Sequence, residues 1–290
     1  MLPTGLCAQL ACIWEATARK PGNVHRFADF KDIDYLDFLV SAAAAAPVLE
    51  TARQRRVGET VLQAVQATRR VARTNTNLGI ILLLAALAAV PAEEELRPGL
   101  ARVLDALDVE DARAVYRAIR TAAPGGLGRV GDQDVSEEPT RPLRQVMALA
   151  ADRDLVARQY ANGFAEVFDL GMPALEQGLE QTSSLEGAII IAHLQLMAAH
   201  PDSLIARKRG RAEAEEAGRR ARQVLEAGWP HAPGSPAALA ELDRWLRAEG
   251  HGRSPGTTAD LVTACLFVAL REGRIQLPSR FPWSAGFRHD

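Results

Sequence analysis

Thr74-Asn-Thr-Asn-Leu-Gly-Ile-Ile-Leu-Leu-Leu-Ala-Ala-Leu-Ala-Ala-Val-Pro91 sets four polar residues against the longest apolar run of the chain. Leu78 to Pro91 is too short to cross a bilayer, which takes roughly 20 apolar residues as a helix. The run is therefore expected to be a buried helix, and a helix that is apolar on every side must be surrounded by other elements. The rest of the sequence supplies helices for that purpose. Val61, Leu62, Val65, Thr68 and Ala72 recur at helical spacing, as do Leu239, Leu242, Trp245 and Leu246. Ala and Leu dominate, aromatic residues are 5% of the chain, and β-branched residues fall mostly inside helically spaced segments, so strand signals are weak. The expected fold is all-α, a single multi-helix globular domain over residues 1–290. Helices are expected at about 4–18, 33–46, 58–73, 77–89, 97–106, 109–122, 142–161, 163–179, 184–199, 202–227, 236–249 and 257–271.

Composition narrows the function classes. The 290 residues are 48% hydrophobic, enough for a sizeable core. A net charge of -2 gives no general attraction for nucleic acid or an anionic membrane, so neither is an expected partner and any polyanion must meet a local group of Lys and Arg. Cys7, Cys12 and Cys265 are an odd set without a CxxC pair, which argues against a disulfide framework and a zinc knuckle and for reduced, cytoplasmic thiols. The opening Met-Leu-Pro-Thr has no basic segment before an apolar run, so no signal peptide is expected. No GK[ST] helix start or HExxH string occurs, which disfavours a P-loop and a zinc site. Gly252-Arg-Ser-Pro-Gly256 and Gly126-Leu-Gly-Arg-Val-Gly131 fit GxSxG and GxGxxG by spacing alone, without the preceding strand that a nucleophile elbow or a dinucleotide fingerprint needs, so a serine hydrolase and a dinucleotide-dependent dehydrogenase are also disfavoured. His193, within Ile189-Ile-Ile-Ala-His-Leu-Gln-Leu-Met197, reads as a core histidine.

Three polar strings beside apolar helices are the candidates for chemistry. In Thr74-Asn-Thr-Asn-Leu-Gly79, Asn75 and Asn77 either cap a helix or present it to an anion, with Gly79 allowing close approach of a ligand. In Ser254-Pro-Gly-Thr-Thr-Ala-Asp260, Thr257 and Asp260 have the spacing of a capping box, while Ser254 and the Thr hydroxyls offer donors at a helix mouth. Lys20-Pro-Gly-Asn-Val-His-Arg26 brings Lys20 and Arg26 into one loop as candidate phosphate contacts. Downstream, Asp32 and Asp34 are candidate oxygen ligands for Mg²⁺ on a polyphosphate, or first-turn acids of the next helix. Glu15 is a candidate carboxylate in an apolar helix. Pro124-Gly-Gly-Leu-Gly-Arg-Val-Gly131 reads as a flexible connection or a lid.

Glu15, Lys20-Pro-Gly-Asn-Val-His-Arg26 with Asp32 and Asp34, Asn75-Thr-Asn-Leu-Gly79, Asp202-Ser-Leu-Ile-Ala-Arg207 and Ser254-Pro-Gly-Thr-Thr-Ala-Asp260 together resemble, in order and approximate spacing, the triphosphoribosyl-dephospho-CoA synthase family. Asn77-Leu78 stands where that family carries His-Lys, and Asp202-Ser203 followed by Arg207-Lys-Arg-Gly210 matches another family string only in part. The chain resembles more a divergent branch associated with organisms that use tetrahydromethanopterin. The resemblance implies transfer of the 5-triphosphoribosyl group of ATP, with Mg²⁺, to the 2'-hydroxyl of 3'-dephospho-CoA and release of adenine. An alternative reading is a related nucleotide-dependent ribosyl transfer to another acceptor in tetrahydromethanopterin or one-carbon cofactor biosynthesis, and a second is a non-catalytic helical nucleotide-binding protein. The implied roles are Glu15, Asp32 or Asp260 in catalysis and Asp32 and Asp34 as metal ligands. Lys20, Arg26 and Arg207 would meet phosphate, and Asn75, Asn77, Gly79, Ser254 and Thr257 would hold the nucleotide. Such scattered residues imply a central polar cleft.

Overall fold

The apolar run becomes α4, Leu78–Ala88, in which every residue except Gly79 is buried. The computed structural model describes residues 2–125, 128, 131–279 and 281. Before α4 come α1 (Thr4–Thr17), α2 (Tyr35–Glu50), a 3₁₀ turn (Ala52–Gln54) and α3 (Val57–Arg69). After it come α5 (Leu96–Asp105), α6 (Val109–Ala122), α7 (Leu143–Ala148), α8 (Leu155–Asn162), a π-helical turn (Glu166–Gly171) and α9 (Met172–Thr182). The chain continues through α10 (Leu185–Ala199), α11 (Ser203–Arg209), α12 (Arg211–Glu226), α13 (Ser235–Arg247) and α14 (Gly256–Arg271). Among the described residues there is no strand, only two isolated bridges at His25 with Ala28 and Phe30 with Ile33, so the fold is all-α as expected.

Two of the expected helices are each divided in two. The segment 142–161 breaks because Asp154 accepts hydrogen bonds from the amides of Val156 (2.9 Å) and Ala157 (3.1 Å) and so starts a new helix. The segment 202–227 breaks at Gly210, whose φ of +93° suits glycine and stops α11. Helix α2 instead outruns its expected end, continuing through Pro47 to Glu50. Its start is fixed by a capping box in which Asp34 accepts from the Asp37 amide and Asp37 accepts from that of Asp34.

The core has two parts joined by α10. The larger gathers α4 with buried faces of α1, α3, α6, α8, α9 and α14. The smaller lies between α10, α11, α12 and α13, with Trp229 in it. Ile189, Ala192 and Leu196 of α10 face the first, whereas Ile190, Ile191, Leu194 and Met197 face the second. This two-sided burial explains why α10 is apolar all round. Among the described residues no single helix is long and apolar enough to cross a membrane. The bent pair α10 and α11 has the combined length and composition, but α10 is spent on these two cores.

Candidate functional site

The start of α4 meets the start of α14 at the inner end of a cavity of about 890 Å³. Gly79 makes this approach possible, because a Cβ there would lie 2.0 Å from Oδ2 of Asp260. Asn75 caps α4 by accepting from the Leu78 amide at 3.1 Å, and Thr76 shares a hydrogen bond with Ser41 at 2.7 Å. Asn77 makes no cap with its side chain and is left facing the cavity. The polar run thus divides its work: one Asn holds the helix and the other serves the site.

The Ser254–Asp260 string is held differently from its sequence pattern. The expected capping box of Thr257 and Asp260 does not form. The α14 start is capped from outside by Asp202, whose Oδ2 accepts from the Thr258 amide (2.7 Å) and hydroxyl (2.8 Å). Oδ1 of the same Asp202 accepts from the amides of Leu204 (2.8 Å) and Ile205 (3.0 Å), so one buried carboxyl seats α11 and α14 together. Asp260 is thereby freed to face Gly79. The Thr257 hydroxyl accepts from Ser203 at 3.1 Å, and Ser254 accepts from the Asn23 side-chain amide at 3.2 Å; both residues line the cavity.

Glu15, Asp32, Asn75, Asn77, Gly79, Arg207, Ser254, Thr257 and Asp260 all line this one cavity, whereas Lys20, Arg26 and Asp34 do not. Lys20 is fully buried behind the wall. Its ammonium lies 2.9 Å from Oε1 of Glu15 and donates to the carbonyls of Glu15 and, at 3.3 Å, Ala18, which uses all three of its hydrogens. Arg26 donates to the Thr17 carbonyl (3.0 Å) and to Glu186 (3.2 Å), a buried carboxylate that also holds Arg19 at 3.0 Å. Asp34 is spent on the α2 cap. Lys20 and Arg26, expected at phosphate, and Asp34, expected at a metal, thus lie off the cavity lining in this structure. In each case an internal partner takes the group that a ligand would need.

The carboxyls of the inner end carry displaced acidities. Burial pushes Asp260 well above the usual carboxylate range, reinforced by the carboxylates of Glu15, Asp202 and Asp154 and opposed by Arg207. Burial also raises Glu15, against the pull of Lys20. Asp202 is raised by burial and drawn down by the hydrogen bonds it accepts. His193, buried outside the cavity as the sequence suggests, is lowered to about 3 by burial and by Lys20 and is therefore neutral.

The rim has another character. Asp32, 63% exposed in its side chain, faces Nδ1 of His251 at 3.2 Å. Lys208 and Arg153 lie along the same lining, and Arg207 is tied to Asp154 at 2.6 Å. Val115, Ile119, Leu143, Val146 and Met147, from α6 and α7, form an apolar wall with Leu82 of α4. Sequence reasoning did not single out Asp154, Asp202, Lys208 or His251. Asp154 followed by Leu155-Val156 and Asp202 followed by Ser203-Leu204 were legible as N-cap positions, and Asp202 stood in one of the family strings. Pro124, Gly125 and Gly128 of the glycine-rich loop line the cavity, while 126, 127, 129 and 130 lie outside the described residues.

Among the described residues, this cavity joins an apolar wall, the start of α4, Arg153 and Arg207, and the carboxyls of Glu15 and Asp260. The chain belongs to the ATP:dephospho-CoA triphosphoribosyl transferase family, whose sequence model matches residues 3–279. It is 30% identical over 134 residues to a probable 2-(5''-triphosphoribosyl)-3'-dephosphocoenzyme-A synthase of Pseudomonas savastanoi pv. phaseolicola, a stretch covering 43% of this chain and 45% of that protein. A protein of the same name from Pseudomonas paraeruginosa is 34% identical over 113 residues, 39% of this chain and 38% of its own. The match thus spans less than half the length of these curated relatives. The crystal structure of a candidate triphosphoribosyl-dephospho-CoA synthase from Archaeoglobus fulgidus superposes with a TM-score of 0.63 at 27% identity, covering 81% of this chain and 99% of that one.

Proposed function

We propose that the protein transfers the 5-triphosphoribosyl group of ATP to the 2'-hydroxyl of 3'-dephospho-CoA and releases adenine. The observation that carries this reading is the meeting of Glu15, Asn75, Asn77, Gly79, Arg207 and Asp260, drawn from four separated stretches of the chain, on one cavity. Such a transfer breaks an N-glycosidic bond through an oxocarbenium-like state, which needs proton transfer at both partners and compensation of the triphosphate charge. Arg207, Lys208 and the first-turn amides of α4 are the groups proposed to meet the triphosphate. The apolar wall of α6 and α7 would take the less polar part of the acceptor.

Mg²⁺ belongs in this reading as part of the ATP substrate. Among the described residues no group of three or more His, Cys, Asp or Glu side chains is placed to hold a metal ion. Mg²⁺ commonly binds through one or two carboxylates with substrate phosphates. Asp32, open to the rim, is the carboxylate proposed to meet it. The three free, buried cysteines support a reducing, cytoplasmic setting.

A different acceptor is the second reading, favoured by Asn77 and Leu78. Both line the cavity and are uncharged, so this mouth offers the acceptor no side-chain cation. Purified protein incubated with ATP, Mg²⁺ and dephospho-CoA should form adenine, followed by chromatography. Adenine formed only with another acceptor would replace the first reading by the second. No adenine with any acceptor would leave a nucleotide-binding protein.

A further inference from the structure

Two carboxyls reach the inner end of the cavity with opposite surroundings. Glu15 is paired at 2.9 Å with an ammonium that is itself wholly buried. The other two hydrogens of Lys20 go to neutral carbonyls. A buried cation of this kind requires its one anionic partner to stay ionised, because an unpaired charge in the interior is strongly unfavourable. Asp260 has no such partner. Among the described residues it makes no hydrogen bond and no ion pair, Arg207 being taken by Asp154. The Gly79 backbone lies against it, and the charged groups facing it are Glu15 from α1, Asp154 before α8, Asp202 before α11 and Arg207 on α11. The Cys12 thiol, beside both carboxyls, is kept protonated by burial and by these two neighbours. Three carboxylates against one already paired guanidinium favour the neutral acid at Asp260. One carboxyl is thus held charged and its neighbour held protonated, the division of labour that assigns base and acid in a pair.

Resting on the triphosphoribosyl transfer reading, we propose that Glu15 takes the proton of the acceptor hydroxyl, that Asp260 gives its proton to the departing adenine, and that Lys20 is the positioning residue that keeps the two carboxyls in different protonation states. The bond between the ribose anomeric carbon and adenine N9 breaks, with its electron pair going to the base. The acceptor oxygen forms the new bond to that carbon. The hydroxyl proton moves to Glu15 and the Asp260 proton moves to a ring nitrogen of adenine, which leaves neutral. Transfer of the new proton from Glu15 to Asp260 restores the starting state, so the net result is one proton carried from acceptor to adenine with no change of oxidation state.

The test compares leaving groups. Asp260→Asn should lower adenine release from ATP by about 10²- to 10⁴-fold, the usual worth of a positioned acid. With a nitrophenyl riboside 5'-triphosphate, whose leaving group departs as a stable anion, the same variant should regain near wild-type turnover. Glu15→Gln should be impaired on both donors, since the acceptor hydroxyl is the same, while calorimetry shows ATP still bound by both variants. Lys20→Met should move the acidic limb of the kcat/KM pH profile upward by about 1 to 3 units, the effect of removing an adjacent opposite charge. Equal impairment of Asp260→Asn on both donors, or rescue of Glu15→Gln by the better leaving group, would overturn the assignment. An unmoved limb in a folded Lys20→Met would remove Lys20 from it. Should that variant fail to fold, the leaving-group comparison decides the roles of Glu15 and Asp260 without it. Failure of the wild-type protein to release adenine with any acceptor would sink the transfer reading itself, a result distinct from either of these.

Discussion

Lys20–Arg26 and Thr74–Gly79 look alike as sequence, polar strings set against apolar helices, yet the fold treats them oppositely. The first carries the charges and turns them inward, Lys20 onto Glu15 and Arg26 onto Glu186. The second carries no charge and is left open on the cavity. A charged side chain can meet a ligand only where it lines the cavity, as Arg207 does even while paired with Asp154, and its placement depends on contacts between distant segments. Glu186 is 160 residues from Arg26 and sits in an apolar helix.

Substitutions should separate the two strings by effect. Within the Thr74–Gly79 string the largest change in activity is expected from Gly79→Ala, which forces a methyl group into the Asp260 carboxyl. Turnover should fall by about 100-fold or more with helix content by circular dichroism unchanged, since misplacement by an ångström at a reacting centre is that costly. Retained turnover would mean that the contact between α4 and Asp260 is not part of the site. In the other string, Glu186→Gln should instead be read in stability, losing about 3 kcal/mol in denaturant unfolding because two partly buried arginines lose the buried carboxylate they share.

The pH dependence should differ in sign between the buried Glu186 and the partly buried Asp260. Burial alone would raise Glu186, but the hydrogen bonds and charges of Arg19 and Arg26 leave it below the ordinary carboxylate value. Its stabilisation is therefore present above the unfolded-state value and lost as pH falls through the lowered one. Asp260 is raised, so the folded state holds its proton while the unfolded chain releases it. Stability falls as pH rises from the unfolded value toward the folded one. Asp260→Asn should accordingly raise the melting temperature at neutral pH while lowering turnover on ATP by about 10²- to 10⁴-fold, and a lowered melting temperature would contradict a protonated Asp260. The smallest effect is expected at the exposed rim. Asp32→Ala should change stability by no more than about 0.5 kcal/mol and act on KM for Mg-ATP.

Much of the architecture was legible because helical periodicity survives in a single sequence. The α4 run, the α2 and α6 starts and the α14 helix follow from it directly. The break at Asp154 and that at Gly210 were missed because apolar spacing continues across both, while the cause is a cap in one case and a left-handed glycine in the other. At the site, Asn75, Asn77, Gly79 and Asp260 were marked by their strings and by the family resemblance. That Lys20 and Arg26 turn away from the cavity was not legible, because charge is visible in sequence and burial is not. The capping box at Thr257 and Asp260 failed for a related reason, since Asp202 arrived from another part of the chain to do the capping.

That Asp202 carboxyl fixes more than two helix starts. Arg207 lies one turn along α11 and Asp260 one turn along α14, so the separation of these two cavity-lining groups is set by a carboxyl at the start of both helices. In the proposed reading that carboxyl sets the length of donor the cavity accepts, from outside the cavity lining.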